Sequence, residues 1–93
     1  MKIKNKSYNE LERIVKGFSN HRRIEILELL KQKPELSLDE ISTTLNINLK
    51  TASEHVRRLA ISGLVLKRSA GNYVRHKLTP RAQAILKFLR ILE

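Results

Sequence analysis

Residues 48–77, NLKTASEHVRRLAISGLVLKRSAGNYVRHK, restrict what this chain can fold into more than any other stretch. Asn48 is a helix-capping residue type. From there Leu49, Ala52, Val56, Leu59 and Ala60 recur at helical spacing up to Gly63, which predicts a helix over about 49–62. Two β-prone runs follow at once, Leu64-Val65-Leu66 and Tyr73-Val74, continuing through Lys67-Arg68 and Arg75-His76-Lys77-Leu78. Ser69-Ala70-Gly71-Asn72 is the expected turn, with Gly71 supplying positive φ. The helix is polar on its other side: Lys50, Glu54, Arg57 and Arg58 lie opposite the apolar stripe, with Thr51 and Ser53 on its flanks. Ile61 breaks this pattern, and packing under the following hairpin is the expected reason.

The preceding segment narrows the choice further. Ser37 and Glu40 have the spacing of a capping box, and Leu36 and Ile41 that of a hydrophobic staple. This helix is short, ending near Leu45, because Asn46 tolerates the left-handed conformation that stops a helix. Two helices joined by a turn of three or four residues form a helix-turn-helix unit. Upstream, Ser7 and Glu10 predict a capped helix to Phe18, with Leu11, Ile14, Val15 and Phe18 as its stripe. Ser19 or Asn20 opens a second helix to about Lys33. Its broad face of Ile24, Ile26, Leu27, Leu29 and Leu30 must meet several neighbours. Thr79-Pro80 starts the last helix, with one stripe of Ala82, Ile85, Leu86, Leu89 and Leu92 and a second of Ala84, Phe88 and Ile91. The second stripe exceeds what one small core covers and is read as a dimer surface. The expected fold is mainly α with a small β-hairpin, a winged helix-turn-helix in the order α-α-α-α-β-β-α. It forms one domain over residues 7–93, behind a basic arm of residues 1–6.

Composition bears on the partner. The 93 residues carry 19 Lys and Arg against nine Asp and Glu, a formal charge of +10. Such an excess favours polyanions. Seven of the basic side chains fall between Lys50 and Lys77, against one acid there, Glu54. The absence of cysteine excludes disulfides, thiolate zinc sites and thiol redox sensing, and fits a reducing cytoplasm. No apolar run approaches the roughly 20 residues needed to span a bilayer, and no signal peptide is expected, so no membrane role is. Four aromatics offer little stacking surface for single-stranded RNA.

No catalytic constellation stands out. Ser53, His55 and Asp39 form a nucleophile triplet only on paper, without a strained elbow, and the glycines at 17, 63 and 71 are isolated. His21, His55 and His76 lie in different elements, so neither metal nor cofactor is expected. The polar helix face suits double-stranded DNA. Lys50, Thr51 and Ser53 sit at the helix start, where base edges are met, and Arg57 and Arg58 reach a base or the backbone. Glu54 pairs with Arg57 or Arg58, or accepts from cytosine. His55 contacts phosphate or packs against a neighbouring helix. In the hairpin, Lys67, Arg68, Arg75 and Lys77 hold phosphates, although strand alternation prevents all four from facing one way.

Several segments together resemble the winged-helix regulators of the ArsR type, and more loosely the MarR type. Asn20-His21-Arg22-Arg23-Ile24-Glu25-Ile26-Leu27 looks like the family's second-helix opening, and Ser37-Leu38-Asp39-Glu40-Ile41 like its first helix-turn-helix helix. Ser53-Glu54-His55-Val56-Arg57-Arg58-Leu59, followed by Gly63-Leu64-Val65, is similar to its recognition helix, and Gly71 to Thr79 to its wing and exit. The resemblance covers about Phe18 to Ala82. It implies a homodimeric, sequence-specific DNA-binding transcriptional regulator, not an enzyme, with the outer helices making the dimer. Leu11, Ile14, Ile85, Phe88, Leu89 and Leu92 are the candidate interface residues. Metal-sensing members carry Cys-rich third helices or ligands on the last helix; this chain has no Cys and there only Glu93, so no metal sensor is implied. No attached sensor domain is expected, which leaves any small-molecule effector unknown. The alternative is a winged-helix interaction or assembly module whose basic face meets an acidic protein.

Overall fold

The computed structural model describes residues 6–93. Along the chain run α1 (Tyr8–Phe18), α2 (His21–Gln32), α3 (Leu38–Leu45), α4 (Leu49–Ile61), β1 (Val65–Ala70), β2 (Tyr73–Leu78) and α5 (Pro80–Ile91). The expected order is thus observed. Apart from Lys6, the expected basic arm lies outside the described residues.

Local chemistry sets the helix ends. Ser7 Oγ accepts from the Glu10 N–H at 3.1 Å, and the Glu10 carboxylate accepts from the Ser7 N–H at 2.8 Å. Asn20, rather than Ser19, caps α2: its Oδ1 accepts from the N–H groups of Arg22 and Arg23. The helix ends before Pro34, since proline disfavours helical backbone in the residue ahead of it. Ser37 and Glu40 form the second reciprocal box at 3.2 and 2.8 Å. Thr79 Oγ1 donates to the Gly63 carbonyl at 2.6 Å and accepts from the Ala82 N–H, tying the start of α5 to the end of α4.

The broad face of α2 meets α1, α3, α4, α5 and β2. Ile26, Leu27 and Leu30 form the centre of the core with Ile41 of α3, Val56 and Leu59 of α4, Leu64, and Leu86 of α5, all withdrawn from water. A side chain of this size contributes about 1.5–3 kcal/mol when fully buried, so this shared centre fixes the relative placement of the helices.

Antiparallel pairing runs from Val65 opposite Leu78 to Ala70 opposite Tyr73. The turn is therefore Gly71-Asn72, two residues rather than the four expected, because Ser69 and Ala70 continue the ladder. Gly71 has φ +65°, the positive φ that a tight hairpin needs at its first central position. Leu36 adds an unpredicted bridge to the other side of β2. The His76 N–H donates to the Leu36 carbonyl at 3.0 Å, and the Glu35 N–H donates to the His76 carbonyl at 3.0 Å.

Candidate nucleic-acid interface

The turn between α3 and α4 is Asn46-Ile47-Asn48. Asn46 takes φ +54° and ψ +49°, and the N–H groups of Asn46 and Ile47 return to the carbonyls of Thr43 and Ser42. That is the paired closure of a left-handed helix end, which satisfies carbonyls otherwise left open. Ser42 Oγ adds a bond to the Ile47 carbonyl at 2.6 Å. Asn48 Oδ1 accepts from the N–H groups of Lys50 and Thr51, which starts α4. The same closure recurs at its end: Gly63, at φ +75°, and Leu64 donate to Ala60 and Leu59. Both ends of α4 are thus pinned, and its apolar side is buried through Ala52, Val56 and Leu59.

The opposite side is open. Lys50, Thr51, Ser53, Glu54, Arg57 and Arg58 are exposed on one continuous face, and His55 is half-buried at its edge. Glu54 pairs inside the helix with both arginines, at 2.7 Å to Arg57 Nη2 and 3.2 Å to Arg58 Nε. Those bonds, Arg57 first, lower its carboxyl from 4.5 to about 2. The Glu54 carboxylate therefore holds the two guanidinium groups side by side on the surface. Burial, then the nearby Arg23 charge, lowers the pKa of His55 and favours its neutral form.

Register divides the hairpin cations. Leu66, Arg68 and Ala70 share a face with Lys77, Arg75 and Tyr73. Lys67 lies on the other face, with His76. Lys67 and Lys77 are exposed. Arg68 is paired with the Glu35 carboxylate, and Arg75 Nη1 donates to the Glu35 carbonyl at 3.1 Å and lies 3.8 Å from Glu40. The two arginines thus brace the hairpin against the α2–α3 corner.

The outer helices leave apolar surface uncovered. On α1, Tyr8, Leu11 and Val15 are exposed, Ile14 is half-buried, and Phe18 alone of the stripe is buried. On α5, Ile85 and Leu89 pack against the core, whereas Phe88, Ile91 and Leu92 are exposed at 53%, 79% and 65%. Ile61 is 71% exposed and lines a cavity beside α1, so it does not pack under the hairpin as expected.

Sequence reasoning missed several contributors. Gly17 was only a residue near a helix end, yet it is buried where α1 crosses the end of α4. A Cβ there would stand 1.8 Å from Ser62 Oγ and 2.5 Å from its Cβ. His76 is 3% exposed, and its Nδ1–H donates to the Leu36 carbonyl at 2.9 Å. Glu35 is a non-glycine at φ +67°, held by Arg68, Arg75 and β2. Only the rarity of a histidine between apolar strand positions hinted at His76; nothing in the sequence marked the other two. Among the described residues no group of three or more His, Asp or Glu could hold a metal ion, and no helix is long and apolar enough to cross a membrane.

A capped helix presenting a basic polar face, flanked by a basic hairpin, is the architecture of a winged helix-turn-helix DNA-binding domain. Residues 19–65 match the winged helix-turn-helix DNA-binding family, and the chain belongs to it. It is 38% identical over 63 residues to an HTH-type transcriptional regulator from Mycobacterium tuberculosis, a match over 68% of this chain and 27% of that protein. This chain thus spans about a quarter of the length of that relative. Among solved structures, the homodimeric winged helix-turn-helix DNA-binding domain of a possible ArsR-family regulator from Mycobacterium bovis superposes with a TM-score of 0.81. It is 28% identical, with 97% of this chain and 89% of that one covered. HlyU from Vibrio cholerae superposes at 0.80, with 29% identity over 96% and 97% of the two chains. The ArsR-type resemblance read from the sequence is thereby established.

Proposed function

We propose that residues 7–93 act as one homodimeric winged-helix unit in a cytoplasmic transcriptional regulator, and that it reads pseudo-palindromic double-stranded DNA without catalysing a reaction. The observation that carries this reading is the open face of α4. Its buried side and both of its ends are fixed by the fold, while Lys50, Thr51 and Ser53 stand free at the helix start, where a recognition helix meets base edges. Arg57 and Arg58, held together by Glu54, sit one to two turns on, within reach of a base or the adjoining backbone. Lys67 and Lys77 supply charge for phosphates, and Arg68 and Arg75 set the angle of the hairpin that carries it. The exposed apolar residues of α1 and α5 are the dimer surface, with Leu11, Phe88 and Leu92 as contacts and Ile14, Ile85 and Leu89 beneath them. A two-fold dimer would place the two α4 helices for half-sites about one helical turn apart.

Selection of binding sites from random duplexes tests this reading. A two-fold motif is expected, with affinity falling steeply as salt rises. Duplex affinity that stays negligible at low salt overturns it and favours an interaction module with an acidic partner.

A further inference from the structure

A cavity of about 540 Å³ lies between α1 and the C-terminal half of α4, roofed by the start of α5. Its size falls within the range of about 300–1,000 Å³ typical of small-molecule sites. Its lining is mainly cationic: Arg13 and Lys16 come from α1, Arg23 from α2, Arg57 and Arg58 from α4, and Arg81 from α5. Among the described residues, the only acid on its wall is Glu10, whose carboxylate is already bonded to the Ser7 N–H. Among the described residues, Arg13, Arg23 and Arg81 form no ion pair.

Two of these arginines are held in place by backbone. Arg23 Nη1 donates to the Gly17 carbonyl at 3.2 Å, and Arg81 Nη1 to the Ser62 carbonyl at 2.9 Å. Each therefore keeps further N–H groups uncommitted, since a guanidinium has five. Arg23 Nε is buried and makes no hydrogen bond among the described residues. Burial, then the neighbouring Arg58 charge, lowers the Arg23 pKa, and the Glu54 carboxylate offsets part of that shift. Ile14 and the exposed Ile61 give the same cavity an apolar wall.

We propose that this cavity is a binding site for a multivalent phosphate-class anion, of the size of a small organic polyphosphate, with its charged end on the arginines and its apolar part against Ile14 and Ile61. Planar guanidinium groups fixed from three helices suit several phosphate oxygens at once. The site joins the outer helix α1 to the recognition helix α4, so an occupant contacts both Arg57 and Arg58 and the base of the proposed dimer surface. Two sources share this chemistry: a free polyphosphate and the phosphates of a DNA backbone.

The test is calorimetric titration of inorganic tripolyphosphate at about 0.15 M salt, where charges beyond about 8 Å are screened. Saturable binding of one anion per chain is expected. The variant Arg13→Gln/Lys16→Gln should weaken it about tenfold or more, about 1.4 kcal/mol or more. Lys67→Gln/Lys77→Gln removes the same charge from the hairpin and should leave it nearly unchanged. Among the described residues the Arg13 side chain makes no hydrogen bond or ion pair and Lys16 pairs with Glu12 of its own helix, and thermal melting of each variant checks that it is folded. Absence of saturable binding, or equal loss in both variants, overturns the proposal. Duplex titrations then assign the source. Unchanged DNA affinity in Arg13→Gln/Lys16→Gln means a free anion; reduced affinity with a shallower salt slope means backbone phosphate. A chain that binds tripolyphosphate but no duplex refutes the DNA-reading proposal and leaves this one standing.

Discussion

Of the three glycines, Gly17 leaves the least room for a side chain. Overpacking a tight contact costs about 1–3 kcal/mol, and Ser62 cannot yield by rotation alone because its Cβ also stands within 2.5 Å of the added methyl. Gly17→Ala should therefore lower the melting temperature by about 4–8 °C for each kcal/mol lost, measured by thermal unfolding, with Ser62→Gly restoring part of it. His76 makes stability depend on pH. Burial, its main influence, lowers its pKa below the ordinary 6.5, while the bond to Leu36 raises it. The folded state thus resists protonation more than the unfolded chain does. Its contribution is fully present above about pH 6.5 and is lost as pH falls through the lower folded value. Half-buried His55 adds to the loss with the same sign. Urea unfolding between pH 7.5 and 5 should show the decline, and His76→Phe should flatten it. Glu54 behaves as a carboxylate down to about pH 2. An NMR titration should find that low midpoint, and Arg57→Gln should move it up towards 4.5.

Within the helices, ends that rest on neighbouring residues were readable, and ends that rest on distant ones were not. Ser7/Glu10 and Ser37/Glu40 each close within four residues, so the chain spells them out. Asn46, Asn48 and Gly63 are legible for the same reason. Asn48→Ala should cost about 1 kcal/mol in chemical unfolding, as loss of an N-cap does. Asn46→Gly should be tolerated and Asn46→Ala destabilising, since an ordinary side chain pays about 1–2 kcal/mol in left-handed backbone. The corner at Glu35 follows no such local rule. Its positive φ is imposed by β2 and by Arg68 and Arg75, 33 and 40 residues away. The bridge of Leu36 to His76 is equally long-range, which is why the hairpin was expected to stand without it.

Across the molecule, Tyr8, Leu11 and Val15 near one end of the chain and Phe88, Ile91 and Leu92 near the other are apolar residues that the core leaves exposed. Phe88→Asp/Ile91→Asp places charge on exposed positions and should yield a folded monomer by light scattering. Its affinity for a two-fold duplex should fall towards that for a half-site. The stripe pattern announced surplus apolar surface on α5 but divided it wrongly in part. Leu92 belongs to the first stripe yet is exposed, because α5 ends at Ile91 and the core does not extend that far. On α1 only Phe18 of the stripe is buried; of the two residues read as dimer contacts, Leu11 is exposed and Ile14 half-buried.

Composition, stripes and caps determined the order of elements, the helix ends and the open face of α4, because each depends on contacts only a few residues apart. Tertiary structure alone decided that Gly17 marks a helix crossing and that Arg68 and Arg75 brace the hairpin. It alone gathered Arg13, Arg23, Arg57 and Arg81 from four helices around one cavity. Those facts depend on how α1, α2, α4 and α5 meet over a shared apolar centre. No spacing within the chain encodes the distance between two side chains that the core brings together.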